Sequence, residues 1–343
     1  MAVSGQHLGW IKKGNTLLEW KQHKQAIAAY DKAISLKSNC FEAWLGKGQA
    51  LLDSREYDLA IAAFEKLIKL QPQDFTGYYY KAATLEEADR LEATADFYQT
   101  VTALMPQEPG AWFFQGVFLT RQQQYEAAID CFDRAIAINL SPMYLMARSI
   151  ALENLERYQA ALDDLDRLLL TGDSALVWIS RAQLLEKLEQ YEEALDSYGQ
   201  ASHCDPRLME PWENRVRLLL QLDQVDKAQT IALTLTGVFD DVAAVWVLMG
   251  QVTRWQQQYE AAIAHYSRAL ELDAAAADAC YGLAICSAQL DQAELAQKHL
   301  EQAIALDANY REKAQAELAL AALLTLPAIA AAPADETELL ARD

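Results

Sequence analysis

The chain has 343 residues, 52% of them hydrophobic, enough for one large core or for a long series of small ones. Its 29 basic and 49 acidic side chains leave a net charge of -20, and an acidic surface of that size repels phosphate backbones and excludes nucleic acid as a partner. Five cysteines (Cys40, Cys131, Cys204, Cys280, Cys286) show no CxxC spacing, so they read as reduced thiols and not as a disulfide framework.

The lead, residues 1–6, opens a stretch MAVSGQHLGWIKKGNTLLEW that lacks the apolar core of a secretory signal, and the expected location is cytoplasmic. From His7 onward the chain repeats itself. The string QQQYEAAI stands at Gln122–Ile129 and again at Gln256–Ile263, four intervals of 33 or 34 residues apart. Anchoring on its tyrosine gives nine units over residues 7–310, starting at His7, Phe41, Phe75, Pro109, Pro142, Ala175, Met209, Ala243 and Ala277. The fourth place of the units holds Trp10, Trp44, Tyr78, Trp112, Leu145, Trp178, Trp212, Trp246 and Cys280. The eighth place is small in all units but one, with Gly14, Gly48, Gly116 and Gly250 among them. The twentieth is alanine except at Thr94, and the twenty-fourth is mostly aromatic: Tyr30, Phe64, Tyr98, Phe132, Tyr198 and Tyr266.

These phases predict two amphipathic helices per unit. Places four, seven, eight and eleven share a stripe of the first helix, and places twenty, twenty-four and twenty-seven share a stripe of the second. Small residues let the two axes approach, and the aromatic fills the space between. Glycine costs a helix about 1 kcal/mol in propensity, so its recurrence at one phase implies a packing role. Pro72, Pro106 and Pro206 at the thirty-second place, and Pro109, Pro142 and Pro211 at the start of units, mark boundaries and interrupt no helix interior.

With W at four, G at eight, Y at seventeen, A at twenty, F/Y at twenty-four, A at twenty-seven and P at thirty-two, the unit resembles the tetratricopeptide repeat, or TPR, in bacterial-type arrays. Unit 2, FEAWLGKGQALLDSREYDLAIAAFEKLIKLQPQD, departs from that pattern only at Leu67. The resemblance implies an all-α fold, an α-α superhelix (TPR solenoid) whose first helices line a concave groove, and a role in holding proteins together. Two family variants are missing. No lysine stands at the fifth place, so the carboxylate clamp of chaperone-binding members is absent, and Asn214 is the lone asparagine at the sixth place, so there is no asparagine ladder.

Departures locate weak points. Units 4 and 5 have 33 residues, and unit 5 runs out in LLLTGDS with Gly172; unit 7 has Val225 and Ala232 where tyrosine and an aromatic are expected. After unit 9, residues 311–326 predict a capping helix, and residues 327–343 a flexible tail. Leu318, Leu320, Leu323, Leu324 and Leu326 point in too many directions for one buried stripe, which suggests a homodimer through residues 311–326 or cover by the ADETELLARD tail. Leu318–Ala334 is uncharged but interrupted by Pro327 and Pro333, so no membrane insertion is expected.

Catalytic chemistry has no visible carrier. The five histidines fall at unrelated phases without HxxxH spacing, His203 and Cys204 are adjacent and so face apart on a helix, and no phosphate-binding glycine motif occurs. Asp163, Asp164 and Asp166 read as a solvated helix face. No metal, cofactor or catalytic residue is assigned, and an enzyme is not expected. What remains is a binding face at places two, five, nine, twelve and thirteen of the first helices. The residues singled out there for partner binding are Tyr79, Glu86, Glu87, Phe113, Val117, Arg121, Met146, Ile150, Glu153, Ile179, Gln183 and Glu186. An apolar row with an acidic edge suits an amphipathic, basic protein or peptide.

Overall fold

The computed structural model describes residues 5–321 and 324, and among these it contains α-helices and no strand. The chain divides into two compact units, Met1–Thr171 and Gly172–Asp343. The first holds α1 (Gln6–Glu19), α2 (His23–Leu36), α3 (Phe41–Asp53), α4 (Tyr57–Leu70), α5 (Phe75–Glu87), α6 (Leu91–Leu104), α7 (Pro109–Arg121), α8 (Tyr125–Ile138), α9 (Pro142–Asn154) and α10 (Tyr158–Leu169). The second holds α11 (Ala175–Lys187), α12 (Tyr191–Cys204), α13 (Met209–Gln221), α14 (Val225–Val238), α15 (Ala243–Trp255), α16 (Tyr259–Leu272), α17 (Ala277–Gln289), α18 (Ala293–Leu306), α19 (Tyr310–Ala316) and α20 (Leu318–Ala321). Within the first unit each helix packs on the next, and α1, α3, α5, α7 and α9 also touch in succession; within the second, α13, α15 and α17 do the same. The fold is therefore an all-α solenoid of helix pairs.

Local chemistry sets the helix ends. Pro109 and Pro142 occupy first helical positions, where a missing N–H costs nothing. The Asp74 carboxylate accepts from the Thr76 N–H at 2.8 Å and caps α5. All nine first helices stop the same way, at a residue whose φ lies between 54° and 61°: Lys21, Arg55, Asp89, Gln123, Glu156, Glu189, Asp223, Gln257 and Asp291. After α3, the Arg55 N–H donates to the Leu52 carbonyl and the Glu56 N–H to the Leu51 carbonyl, both at 2.8 Å, which satisfies carbonyls that the helix leaves over. None of the nine is glycine, and each carries a left-handed cost of about 1–2 kcal/mol.

The aromatic at the twenty-fourth place is the wedge between repeats. Tyr30 is 0% exposed and lies against Gly14 of its own repeat and Gly46, at the sixth place of the next. Tyr266 lies in the same way between Gly250 and Gly282. The fourth-place aromatic ties the preceding loop down. The indole N–H of Trp44 donates to the Ser38 carbonyl (2.9 Å), that of Trp112 to the Pro106 carbonyl (3.0 Å) and that of Trp246 to the Asp240 carbonyl (2.8 Å), each acceptor at the thirty-second place of the preceding repeat. The Tyr78 hydroxyl does the same to the Pro72 carbonyl at 3.2 Å. Trp178 follows the shortened LLLTGDS connection, and its indole nitrogen is buried without a partner among the described residues. The boundary between the compact units, at Thr171 and Gly172, falls in that connection.

Ion pairs add a further link between repeats. Lys47 reaches Asp31, and Lys81 reaches Glu65, both at 2.7 Å, from the seventh place of one repeat to the twenty-fifth of the one before. The Lys81 ammonium holds the Glu65 carboxyl below its ordinary pKa. Arg148, at the same seventh place, pairs with Asp133 and also with Asp164, at 2.6 and 2.8 Å. Asp164 is 1% exposed, so it is an interior ion-pair partner and not part of a solvated face.

The cap also differs from expectation. Residue 317 is extended, with φ −88° and ψ 110°, so the helical stretch is broken into the seven-residue α19 and the four-residue α20. Leu320 is fully buried with Tyr310, Ala314, Leu300 and Cys280, and Leu324 is half-buried against that cluster. The break turns α20 back onto α17, which uses apolar surface that a straight helix would have left open. Leu323, Leu326 and the tail 327–343 lie outside the described residues, as does the side chain of Leu318.

Candidate functional site

In the first compact unit the candidate face is carried by α5, α7 and α9. Burial sorts the expected residues into two groups. Phe113 is 7% exposed and is an interior residue, packed on Phe132 with ring centroids 6.1 Å apart and on Tyr144 of the next repeat at 5.0 Å. Close winding of α7 on α9 covers the fifth place, so Phe113 is corrected from partner contact to core. Tyr79 is half-buried, against Phe114 (4.6 Å between centroids) and Tyr80 (5.0 Å). Val117 and Met146 are half-buried too.

Ile150 is 46% exposed and Met143, about two helical turns before it on α9, is 55% exposed. With Met146 between them and Glu153 exposed beyond, they form an apolar stripe that the first unit leaves uncovered. Met143 stands at the second place of its repeat, one of the phases that the sequence assigns to the binding face.

The acidic edge is more neutral than the sequence suggests. Glu86 accepts a hydrogen bond from the Tyr98 hydroxyl at 2.6 Å and an ion pair from Arg121 at 2.7 Å. Arg121 itself is exposed, but its charge is committed to Glu86. Burial first, and the bond to Glu86 second, hold the Tyr98 hydroxyl far above its usual range, so it stays a donor. Glu87 remains exposed.

The second unit repeats this device on its own helix α11. Glu186 accepts from the Tyr198 hydroxyl at 2.5 Å, and one guanidinium nitrogen of Arg217, Nη2, donates to its two carboxylate oxygens at 2.8 and 2.9 Å. Ile179 is 4% exposed and, like Phe113, is a core residue and not a surface contact. Gln183 is exposed. The tyrosine at twenty-four, the glutamate at twelve and an arginine of the following repeat thus form a structural triad that sequence phase alone did not reveal.

Among the described residues no group of three His, Cys, Asp or Glu side chains is arranged to hold a metal ion, and no helix is long and apolar enough to cross a membrane. Models of the tetratricopeptide repeat match residues 11–75, 45–109, 85–142 and 146–207, and again 250–286 and 277–310. The chain belongs to the tetratricopeptide-repeat family. The interval between 207 and 250 contains α13 and α14, the repeat with Val225 and Ala232. Among curated protein sequences no relative matches. Solved structures of similar fold include one described as a functional characterisation of Pseudomonas aeruginosa pilF, at 17% identity and a TM-score of 0.47, covering 63% of this chain and all (100%) of that one. A tetratricopeptide-repeat protein from Parabacteroides merdae is similar at 16% identity and a TM-score of 0.45, with 68% and 93% of the two chains covered. MamA from Desulfovibrio magneticus RS-1 is similar at 19% identity and a TM-score of 0.40, over 50% of this chain and 100% of that one. As an array of tetratricopeptide repeats, the chain is a scaffold of the protein-interaction kind.

Proposed function

We propose that the array is a non-catalytic scaffold or assembly factor that holds an amphipathic, basic segment of a partner protein on the first-helix face of repeats 3 to 5. The observation that carries this reading is the uncovered stripe Met143, Met146 and Ile150 on α9, bordered by Glu153. Methionine adapts its shape to a ligand at little cost, and an apolar row of this kind supplies affinity while the carboxylates at Glu87 and Glu153 steer basic side chains. Because Glu86 is already paired, it acts through Tyr98 as a support of the face and not as its charge.

The test places a photo-crosslinking residue at Asn154, exposed at the end of α9, in the source cell and compares the captured partner with that of chains that also carry Met143→Asp or Ile150→Asp. Loss of one partner in both variants, with helicity kept, supports the face. Capture of the same partner at the same yield by both variants would place binding elsewhere on the array.

A further inference from the structure

Two clefts of the first compact unit share one repeat phase, each between the second helix of one repeat and both helices of the next. The cleft over α2, α3 and α4 has a volume of about 520 Å3, with Ile27, Trp44, Leu51 and Ala63 as its apolar floor and Leu59 at its mouth. Leu59 is 55% exposed. The cleft over α6, α7 and α8 has a volume of about 650 Å3, and Trp112 and Leu119 stand where the other has Trp44 and Leu51. Their polar linings differ. Gln99, Gln115 and Gln124 take the positions of Asp31, Lys47 and Glu56, and Arg134, stacked on Trp112 at 4.5 Å, takes that of Lys66.

In the first cleft Lys47 is committed to Asp31. Lys24 and Lys66 are exposed at the rim and have no ion-pair partner among the described residues. They belong to the basic part of an acidic chain, since residues 1–70 carry 10 Lys/Arg and 7 Asp/Glu while residues 71–343 carry 19 and 42. An apolar floor under two lysines fits a segment that alternates carboxylates with aliphatic side chains. The chain contains one such segment outside the described residues: DETELL, at 335–340, sets three carboxylates beside Leu339 and Leu340.

We infer that the cleft of repeats 1 and 2 receives residues 335–340 of a second copy of this chain. Leu339 and Leu340 cover the Trp44 and Leu59 surface, and the carboxylates meet Lys24 and Lys66. The charge segregation of the chain works in the same direction, because the acidic remainder of one copy is drawn to the basic repeats of another before contact. A contact of this kind joins two different surfaces and is head-to-tail, so it builds rings or open chains and not a closed two-fold dimer. This is independent of the α9 face and survives its failure.

The probe is a fluorescent synthetic peptide of residues 334–343, titrated against the full chain by polarisation at low and high salt, with sedimentation of the full chain alongside. The expected result is saturable binding that weakens at least about tenfold in Lys24→Glu with Lys66→Glu, about tenfold when both peptide leucines are alanine, and strongly at high salt. Arg134→Ala, in the cleft of like phase, leaves it unchanged. The full chain grows beyond a dimer with concentration, and the double lysine variant does not. Absence of saturable binding, or binding indifferent to the lysine reversal with helicity retained, overturns the inference. A chain that stays monomeric, and binds the peptide only once its own Asp335, Glu336 and Glu338 are made Asn, Gln and Gln, would show the segment docking within one copy and would overturn the second-copy assignment.

Discussion

Gly250→Ala isolates the packing of the wedge from the intrinsic preference of the helix. Helix propensity alone favours alanine by about 1 kcal/mol. A Cβ built on Gly250, however, lies 2.6 Å from Cε1 and 2.7 Å from Cδ1 of Tyr266, well inside van der Waals contact. The ring has little room to move, because Gly282 of the next repeat also lies against it, again too close for a Cβ, and Tyr266 is 1% exposed. Overpacking of a filled core costs about 1–3 kcal/mol, so the net effect is destabilisation by about 0–2 kcal/mol. Gly9 and Gly237 supply the internal control, since a Cβ at either meets nothing within 4 Å. Each lies in a helix, α1 and α14, and each should gain up to about 1 kcal/mol as alanine. The assay is chemical denaturation followed by far-UV circular dichroism, with Tyr266→Leu as the partner in a double-mutant cycle. A favourable coupling between Gly250→Ala and Tyr266→Leu is expected, because the smaller side chain leaves room for the methyl. If Gly250→Ala stabilises as much as Gly9→Ala, and the cycle shows no coupling, the wedge account is wrong.

Arg148→Met strands the carboxylate of Asp164 in the interior, with only Arg167 at 3.8 Å, and should cost about 3–5 kcal/mol in the same unfolding assay, most of it recovered by adding Asp164→Leu; a cost below about 1 kcal/mol would deny the buried pair its role. Arg55→Gly should raise stability by up to about 1 kcal/mol, since the relief of the left-handed backbone exceeds the added entropy of the unfolded chain, and a loss of stability would contradict that balance. In the native protein a thiol reagent should label Cys204 alone, the exposed one among five, and the rate should rise with pH into the alkaline range because Cys204's pKa is shifted up. Cys131 and Cys286, each pushed up to about 11 by burial, should react only on unfolding, as mass spectrometry of quenched samples would show; early labelling of either would contradict their burial.

Much of this fold is written in the order of residues, because a repeat states its own phase nine times. The first helices begin at Phe41, Phe75, Pro109, Pro142, Ala175, Met209, Ala243 and Ala277, where aromatic, small and proline positions recur together. Glycine at the eighth place and an aromatic at the twenty-fourth announce a close crossing, and Gly250 against Tyr266 is that crossing. Helical period assigns a residue to a face, but it does not say what covers the face. Phe113 and Ile179 share the phase of Tyr79 and Met146, yet the first pair is buried, Phe113 against Tyr144 of the next repeat, and the second pair is half open. Glu86 reads as surface charge until the fold brings the Tyr98 hydroxyl and Arg121 to it across 12 and 35 residues of chain. Asp164 reads as solvated until Arg148 meets it from the neighbouring helix. Spacing within one helix is local and legible in sequence; the distance between successive helix pairs depends on how every repeat winds on the next, and only the folded array determines it.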